Sequence, residues 1–194
     1  MDLLFDIQNL ISVYGYAGIF VIVFLESGIF FALPGDSLLF TAGLVAVTGH
    51  LNIFYLIPLV FIATFFGGIL GYYVGVYLER LRKFKFFRSI LKKEYIDKAH
   101  LFLEKHGHLA IVLARFVPVV RTFMPTVAGV ANMDFRKYIL YNFIGSTIWS
   151  VGVISVGYFL GSIFPELKDH LEWLIFVVIF VSCLPILGSF LKKK

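Results

Sequence analysis

Arg115-Phe-Val-Pro-Val-Val-Arg121-Thr-Phe-Met-Pro125 lies within an apolar stretch that runs from Leu109 to about Ala131. A cation at the centre of a bilayer costs about 3 kcal/mol on insertion scales, and a proline inside a helix removes a backbone donor and breaks or kinks it. The segment therefore reads as a broken helix that carries charge for a purpose. An earlier stretch repeats the pattern with the opposite sign: Glu26 and Asp36 stand around Pro34 in an apolar run that begins near Ala17. These four ionisable residues mark the candidate site.

Outward from these stretches, composition sets the solvent. With 60% hydrophobic, 18% aromatic and 15% charged residues, this chain of 194 residues has more apolar surface than a soluble core of its size can bury. It reads as an all-α integral membrane protein, a single membrane domain over 1–194. The opening Met-Asp-Leu-Leu-Phe-Asp lacks the basic start of a secretory signal, so the N-terminus is expected to be retained. Cys183 is the only cysteine, which excludes an internal disulfide and a thiolate metal site. The net charge of +5 does not point to nucleic acid, because the basic residues gather beside apolar segments. Arg80, Arg82, Lys83, Lys85, Arg88, Lys92, Lys93 and Lys98 form one cluster and Lys192 to Lys194 another. By the positive-inside rule both face the cytoplasm, giving a multi-pass protein of the cytoplasmic (inner) membrane with an external N-terminus.

Residues 2–14 place Leu3, Leu4, Ile7, Leu10 and Ile11 at helical spacing with one wet face, predicting an interfacial helix. The apolar run from Ala17 is interrupted at Pro34-Gly35-Asp36, and the arm that follows to about Thr48 is some thirteen residues long. A full helical span needs about 20 residues, so the spacing predicts a re-entrant hairpin, tolerated only under a cover of protein or in a wet cavity. Residues 52–78 are long enough to cross, with Gly67, Gly71 and Gly75 forming a smooth packing strip. Residues 94–106 predict a second interfacial helix, 109–131 a second hairpin, and 138–161 and 173–191 two more crossings.

An internal repeat emerges from this order. Tyr14-Gly-Tyr-Ala17 and His106-Gly-His-Leu109 introduce the two broken segments, and Ala42-Gly43 and Ala128-Gly129 close them. Each half reads as interfacial helix, re-entrant hairpin, crossing helix: repeat 1 over about 2–78, a basic loop over about 79–93, and repeat 2 over about 94–161. A single crossing between them inverts the second copy, the plan of many secondary transporters. The helix at about 173–191 is additional.

Arginine offers a fork of donors matched to phosphate and carboxylate, so Arg115 and Arg121 are candidate substrate ligands. Six residues apart, they would not share a face of a straight helix, but a break at Pro118 can turn both toward one cavity. The plainer alternative is that each arginine only pairs with a carboxylate to hold the hairpins together. Glu26 and Asp36 are candidates for charge pairing or proton coupling, since protonating a carboxylate would free an arginine for an anion. Asn142, with Gly145 and Trp149 on the same helical face, either lines the cavity or makes an interhelical hydrogen bond. No pair of histidines has the spacing of a helical metal site, so neither metal nor cofactor is expected.

Together, Glu26-Ser-Gly-Ile-Phe-Phe-Ala-Leu-Pro-Gly-Asp36, Gly67-Gly-Ile-Leu-Gly-Tyr-Tyr-Val-Gly75 and Arg115-Phe-Val-Pro-Val-Val-Arg121 leading to Ala128-Gly129 resemble the DedA superfamily, also called the SNARE-associated or VTT-domain family. Asn142 and Trp149 fit as well. The resemblance covers roughly residues 10–165 and is most specific at the Arg-Phe-Val-Pro-x-x-Arg element. It implies lipid translocation, of undecaprenyl phosphate or of phospholipids, with Glu26, Asp36, Arg115 and Arg121 as functional residues. One departure is Gly68, where many relatives have an aspartate.

The expectation is a flippase- or scramblase-type transporter of an anionic-headgroup lipid, with undecaprenyl phosphate foremost and proton coupling as an option. The partners implied are a membrane lipid and protons. The alternative is a proton-coupled exporter or channel for small ions or solutes. An intramembrane phosphatase ranks last, because no nucleophile or metal constellation accompanies the arginines, and the chain is not read as an enzyme.

Overall fold

The computed structural model describes residues 2–28, 35–47, 49, 51–81, 103 and 106–163. Their regular elements are all helical: α1 (Asp2–Gly28), α2 (Gly35–Ala46), α3 (Ile53–Leu81), α4 (Leu109–Ala114), α5 (Pro118–Val130) and α6 (Phe135–Ile163). Local chemistry accounts for the ends. Asn52 accepts a hydrogen bond from Phe54 N at its Oδ1 (2.9 Å), capping α3, and Asp134 Oδ1 accepts from Lys137 N (3.0 Å), capping α6. After α5, Asn132 adopts a left-handed φ of 50°, while Asn132 N donates to Gly129 O and Met133 N to Ala128 O. That is the paired bonding of a Schellman stop with asparagine in the place where glycine is commonest.

The segments Ile53–Leu78 (26 residues) and Phe135–Ile163 (29 residues) are long and apolar enough to cross a bilayer. At about 1.5 Å per residue each exceeds the ~30 Å hydrocarbon layer. Large apolar side chains point outward along both, among them Phe54, Tyr55, Phe66, Phe143 and Phe159, as lipid requires of a protein surface. By contrast α2 and α5 have 12 and 13 residues, too few to span, and each is followed after a short turn by a helix of 29 residues.

One expectation is changed. The predicted interfacial helix at 2–14 and the arm that follows are continuous in α1, which runs unbroken through Gly15 and Gly18. No proline interrupts residues 2–28, and a glycine costs a helix only about 1 kcal/mol. The basic loop at 82–93 and the helix at 173–191 lie outside the described residues, as does the predicted interfacial helix at 94–106 apart from Leu103 and His106.

The chain divides into two compact units, one of residues 1–22, 32–60 and 150–194, the other of 23–31 and 61–149. Within the first, α2 lies against the C-terminal part of α6. A Cβ at Gly43 would stand 2.4 Å from Ile154 O, and one at Gly157 would stand 2.3 Å from Phe40 O. Asn52 N also donates to Tyr16 Oη (2.6 Å), tying α1 to the start of α3.

Within the second unit, α5 lies against the C-terminal part of α3 by the same device. A Cβ at Gly129 would stand 2.0 Å from Tyr72 O, and one at Gly75 would stand 2.2 Å from Thr126 O. Further along α3, Gly67 meets Phe24 O and Ser27 of α1, so the predicted glycine strip receives two neighbours, α1 at one end and α5 at the other. Backbones this close gain weak Cα–H···O contacts that any side chain would abolish. The core beside this seam is built from Tyr72, Ile111, Ala114, Met124, Ala128 and Tyr138, with the rings of Tyr72 and Tyr138 stacked at 4.6 Å.

Gly75→Ala should therefore destabilise the protein by about 1–3 kcal/mol, the range for overpacking. Gly152→Ala, where an added Cβ meets nothing within 4 Å, should be neutral or gain up to about 1 kcal/mol of helix propensity. Thermal unfolding in detergent, read by circular dichroism, distinguishes the two.

Candidate functional site

The interruption between α4 and α5 is three residues long, Arg115 to Val117, and its cause is local. Pro118 occupies the first turn of α5, where a missing N–H is harmless. A residue that precedes proline is disfavoured in the helical region, and Val117 is extended, at φ −113° and ψ 107°. Arg115 is still helical at the end of α4, and Arg121 lies one turn into α5, its N–H bonded to Val117 O at 2.9 Å. On a straight helix six residues would set the two side chains about 240° apart. Here both are buried, at 5% and 4% exposure, while Phe116 and Val117 between them are exposed.

Arg121 Nη2 donates to Glu26 Oε1 from the end of α1, a charge-assisted hydrogen bond between two buried side chains. Its Cζ lies over the ring of Trp149, 4.4 Å from the centroid. Cation–π contact of this kind is worth about 2 kcal/mol when desolvated. Trp149 is itself buried, so the arginine is held by a carboxylate at Nη2 and by an indole ring near its Cζ.

Arg115 has a different partner. Its Nη2 donates to Asn142 Oδ1 at 2.5 Å. Asn142, wholly buried on α6, is held in turn: Nδ2 donates to Phe65 O of α3 (3.0 Å), and Ser146 Oγ donates to the Asn142 carbonyl (2.7 Å). Two glycines make room. A Cβ at Gly145 would stand 2.8 Å from Arg115 Cδ, and one at Gly68 would stand 2.6 Å from Asn142 Oδ1. Beneath them Tyr138 Oη donates to Gly68 O at 2.7 Å. At Gly68, therefore, the amide of Asn142 fills the space that a side chain would need.

Of the residues singled out from sequence, Arg121 meets Glu26 and Trp149, and Arg115 meets Asn142 and Gly145, all within the second unit. Asp36 lies in the first turn of α2, in the first unit, and its side chain is outside the described residues. Tyr138, Ser146 and the Phe65 carbonyl also belong to the site, yet in a chain with 10 tyrosines and 23 phenylalanines they carry no signal of their own. Only the helical spacing from Asn142 points to Ser146. Among the described residues no group of three or more His, Cys, Asp and Glu could hold a metal ion.

Removing one member of a buried ion pair leaves the other uncompensated, at a typical cost of about 3–5 kcal/mol. Glu26→Ala should therefore destabilise strongly, whereas Glu26→Ala combined with Arg121→Leu should recover most of the loss. A double-mutant cycle of unfolding midpoints in detergent checks this, and additive losses would deny the coupling.

The VTT domain model matches 33–159. Protein DedA of Escherichia coli (strain K12) is 41% identical over 199 aligned residues, covering 97% of this chain and 89% of that protein. Undecaprenyl phosphate transporter A of Staphylococcus aureus (strain NCTC 8325 / PS 47) is 30% identical, covering 97% and 96%. Inner membrane protein YqjA of Escherichia coli (strain K12) is 33% identical, covering 80% and 73%. No solved structure matches the chain. A domain match across well over half of its length, and relatives that align with nearly all of it, place this chain in the VTT-domain (DedA) family of membrane proteins.

Proposed function

We propose that this protein is a flippase- or scramblase-type transporter that moves an anionic-headgroup lipid across the cytoplasmic membrane, with undecaprenyl phosphate the substrate its chemistry fits best. The observation that carries the reading is a pair of buried guanidinium groups on the two sides of one helix break. A phosphate monoester is small and can take two charges, so it matches two arginine forks. A zwitterionic phospholipid would need a carboxylate for its amine as well. The 30% identity to a protein named undecaprenyl phosphate transporter A supports the same substrate class.

In this reading Arg115 and Arg121 hold the phosphate while the isoprenoid tail remains among lipid. Glu26 holds Arg121 between cycles, and its protonation releases that arginine to the incoming head group, which couples a proton to transport. Asp36 is the second candidate for proton coupling. We also keep the inverted repeat with two re-entrant hairpins. Two kinds of observation support it: the short helix in each half, and the matching glycine seams at Phe40/Gly43 with Ile154/Gly157 and at Thr126/Gly129 with Tyr72/Gly75.

The test is transbilayer movement in reconstituted vesicles, with undecaprenyl phosphate and common phospholipids as separate probes. Wild type should move the polyprenyl phosphate, and Arg115→Ala and Arg121→Ala should each slow it by about tenfold or more, the scale of one lost charge-assisted contact. Glu26→Gln should move it with a flattened pH dependence. Movement of neither lipid class would favour the small-solute reading, and an unaltered rate and pH profile in Glu26→Gln would remove that residue from coupling.

A further inference from the structure

We infer that the two arginines are not equivalent, and that Asn142 is the positioning residue that reserves Arg115 for the anionic ligand. The inference rests on the reading above that the substrate carries a phosphate monoester. Arg121 already meets the carboxylate of Glu26, and its Cζ lies over the ring of Trp149, so its charge is balanced at rest. Arg115 is as deeply buried, yet its guanidinium is bonded to a neutral amide oxygen. Among the described residues no carboxylate forms an ion pair with Arg115.

A neutral partner does two things that a carboxylate cannot do together. It fixes the plane of the guanidinium through one directed hydrogen bond, and it leaves the positive charge uncancelled in a low-dielectric setting where that charge attracts an anion strongly. The fork has five donors, so one bond to Asn142 leaves others for two phosphate oxygens.

The amide is prevented from turning its other end to Arg115. Nδ2 is committed to Phe65 O, the helix around Asn142 is held by Ser146 Oγ, and the missing side chain at Gly68 admits the amide in this orientation. The two polar ends of Asn142 thus have separate tasks, one toward α3 and one toward Arg115. Aspartate would have nearly the same shape but would cancel the charge of Arg115. Serine would be neutral but too short to direct the fork.

The order of events follows. The phosphate meets Arg115 first, and Arg121 joins when Glu26 lets go. Arg115 and Asn142 then govern affinity, whereas Glu26 and Arg121 govern the later step.

The experiment uses the full-length protein in detergent and native mass spectrometry, with undecaprenyl phosphate as the probe and undecaprenol as the uncharged control. Thermal unfolding of every variant is measured alongside. Wild type should prefer the phosphate. Arg115→Gln and Asn142→Asp should each lose about tenfold or more in affinity for it, the scale of one charge-assisted contact. Asn142→Ser should lose less than Asn142→Asp, and the paired Glu26→Gln/Arg121→Gln variant only about threefold.

Equal losses in Asn142→Ser and Asn142→Asp would mean that Asn142 serves only as a structural tie, and would overturn the inference. So would a paired variant as weak as Arg115→Gln. If Asn142→Asp does not fold, the comparison of Arg115→Gln with the paired variant decides alone. Wild type that fails to distinguish phosphate from alcohol would overturn the substrate reading as well, which separates that failure from failure of the inference alone.

Discussion

A guanidinium group surrounded by hydrocarbon loses its hydration and must find compensation inside the protein. At Arg121 the compensation is Glu26, drawn from the far end of α1 and 95 residues away in sequence. The attraction is strong because the surroundings are apolar, and for the same reason either charge alone would be costly. Much of the second unit can be understood as the scaffold for this contact. Gly67 lets α1 close on α3, Gly75 and Gly129 let α5 close on α3, and Trp149 seals the cation from above. Such a pair adds little net stability compared with apolar residues of equal volume, so its retention inside an apolar chain is better explained by use than by strength.

The helix break at Arg115 to Val117 allows both arginines to be buried. A continuous helix would turn the two arginines away from each other, and a longer loop would leave more backbone groups without partners in an apolar environment. Pro118 resolves both constraints: it ends one helix by its effect on Val117 and begins the next without an orphaned donor. The arginines then differ in partner, an acid for one and an amide for the other, although sequence alone presents them as a symmetric pair.

Much of this could be read from the residues. The apolar composition, the broken segment at Pro118, the glycine strip on α3 and the shared face of Asn142, Gly145 and Trp149 all follow from spacing and helix geometry. Which acid meets which arginine does not, because that depends on the approach of α1 to α5, set by backbone contacts at glycines that look alike in sequence. The continuity of α1 was hidden for a related reason. Residues 2–14 and the apolar run from Ala17 differ in sequence periodicity, not in backbone conformation, so a change of periodicity there does not require a break. Tyr138 and Phe65 act through a single oxygen each, one a hydroxyl and one a carbonyl, and neither kind of contact has a sequence pattern.

A lipid phosphate held against these guanidinium groups would be seen by solid-state NMR on protein with ¹⁵N-labelled arginine, reconstituted with undecaprenyl phosphate, through ³¹P–¹⁵N dipolar coupling. The expected coupling corresponds to about 4 Å, the separation in a guanidinium–phosphate hydrogen bond, and should disappear in Arg115→Gln. Coupling absent from the wild type, or unchanged by that substitution, would contradict that placement.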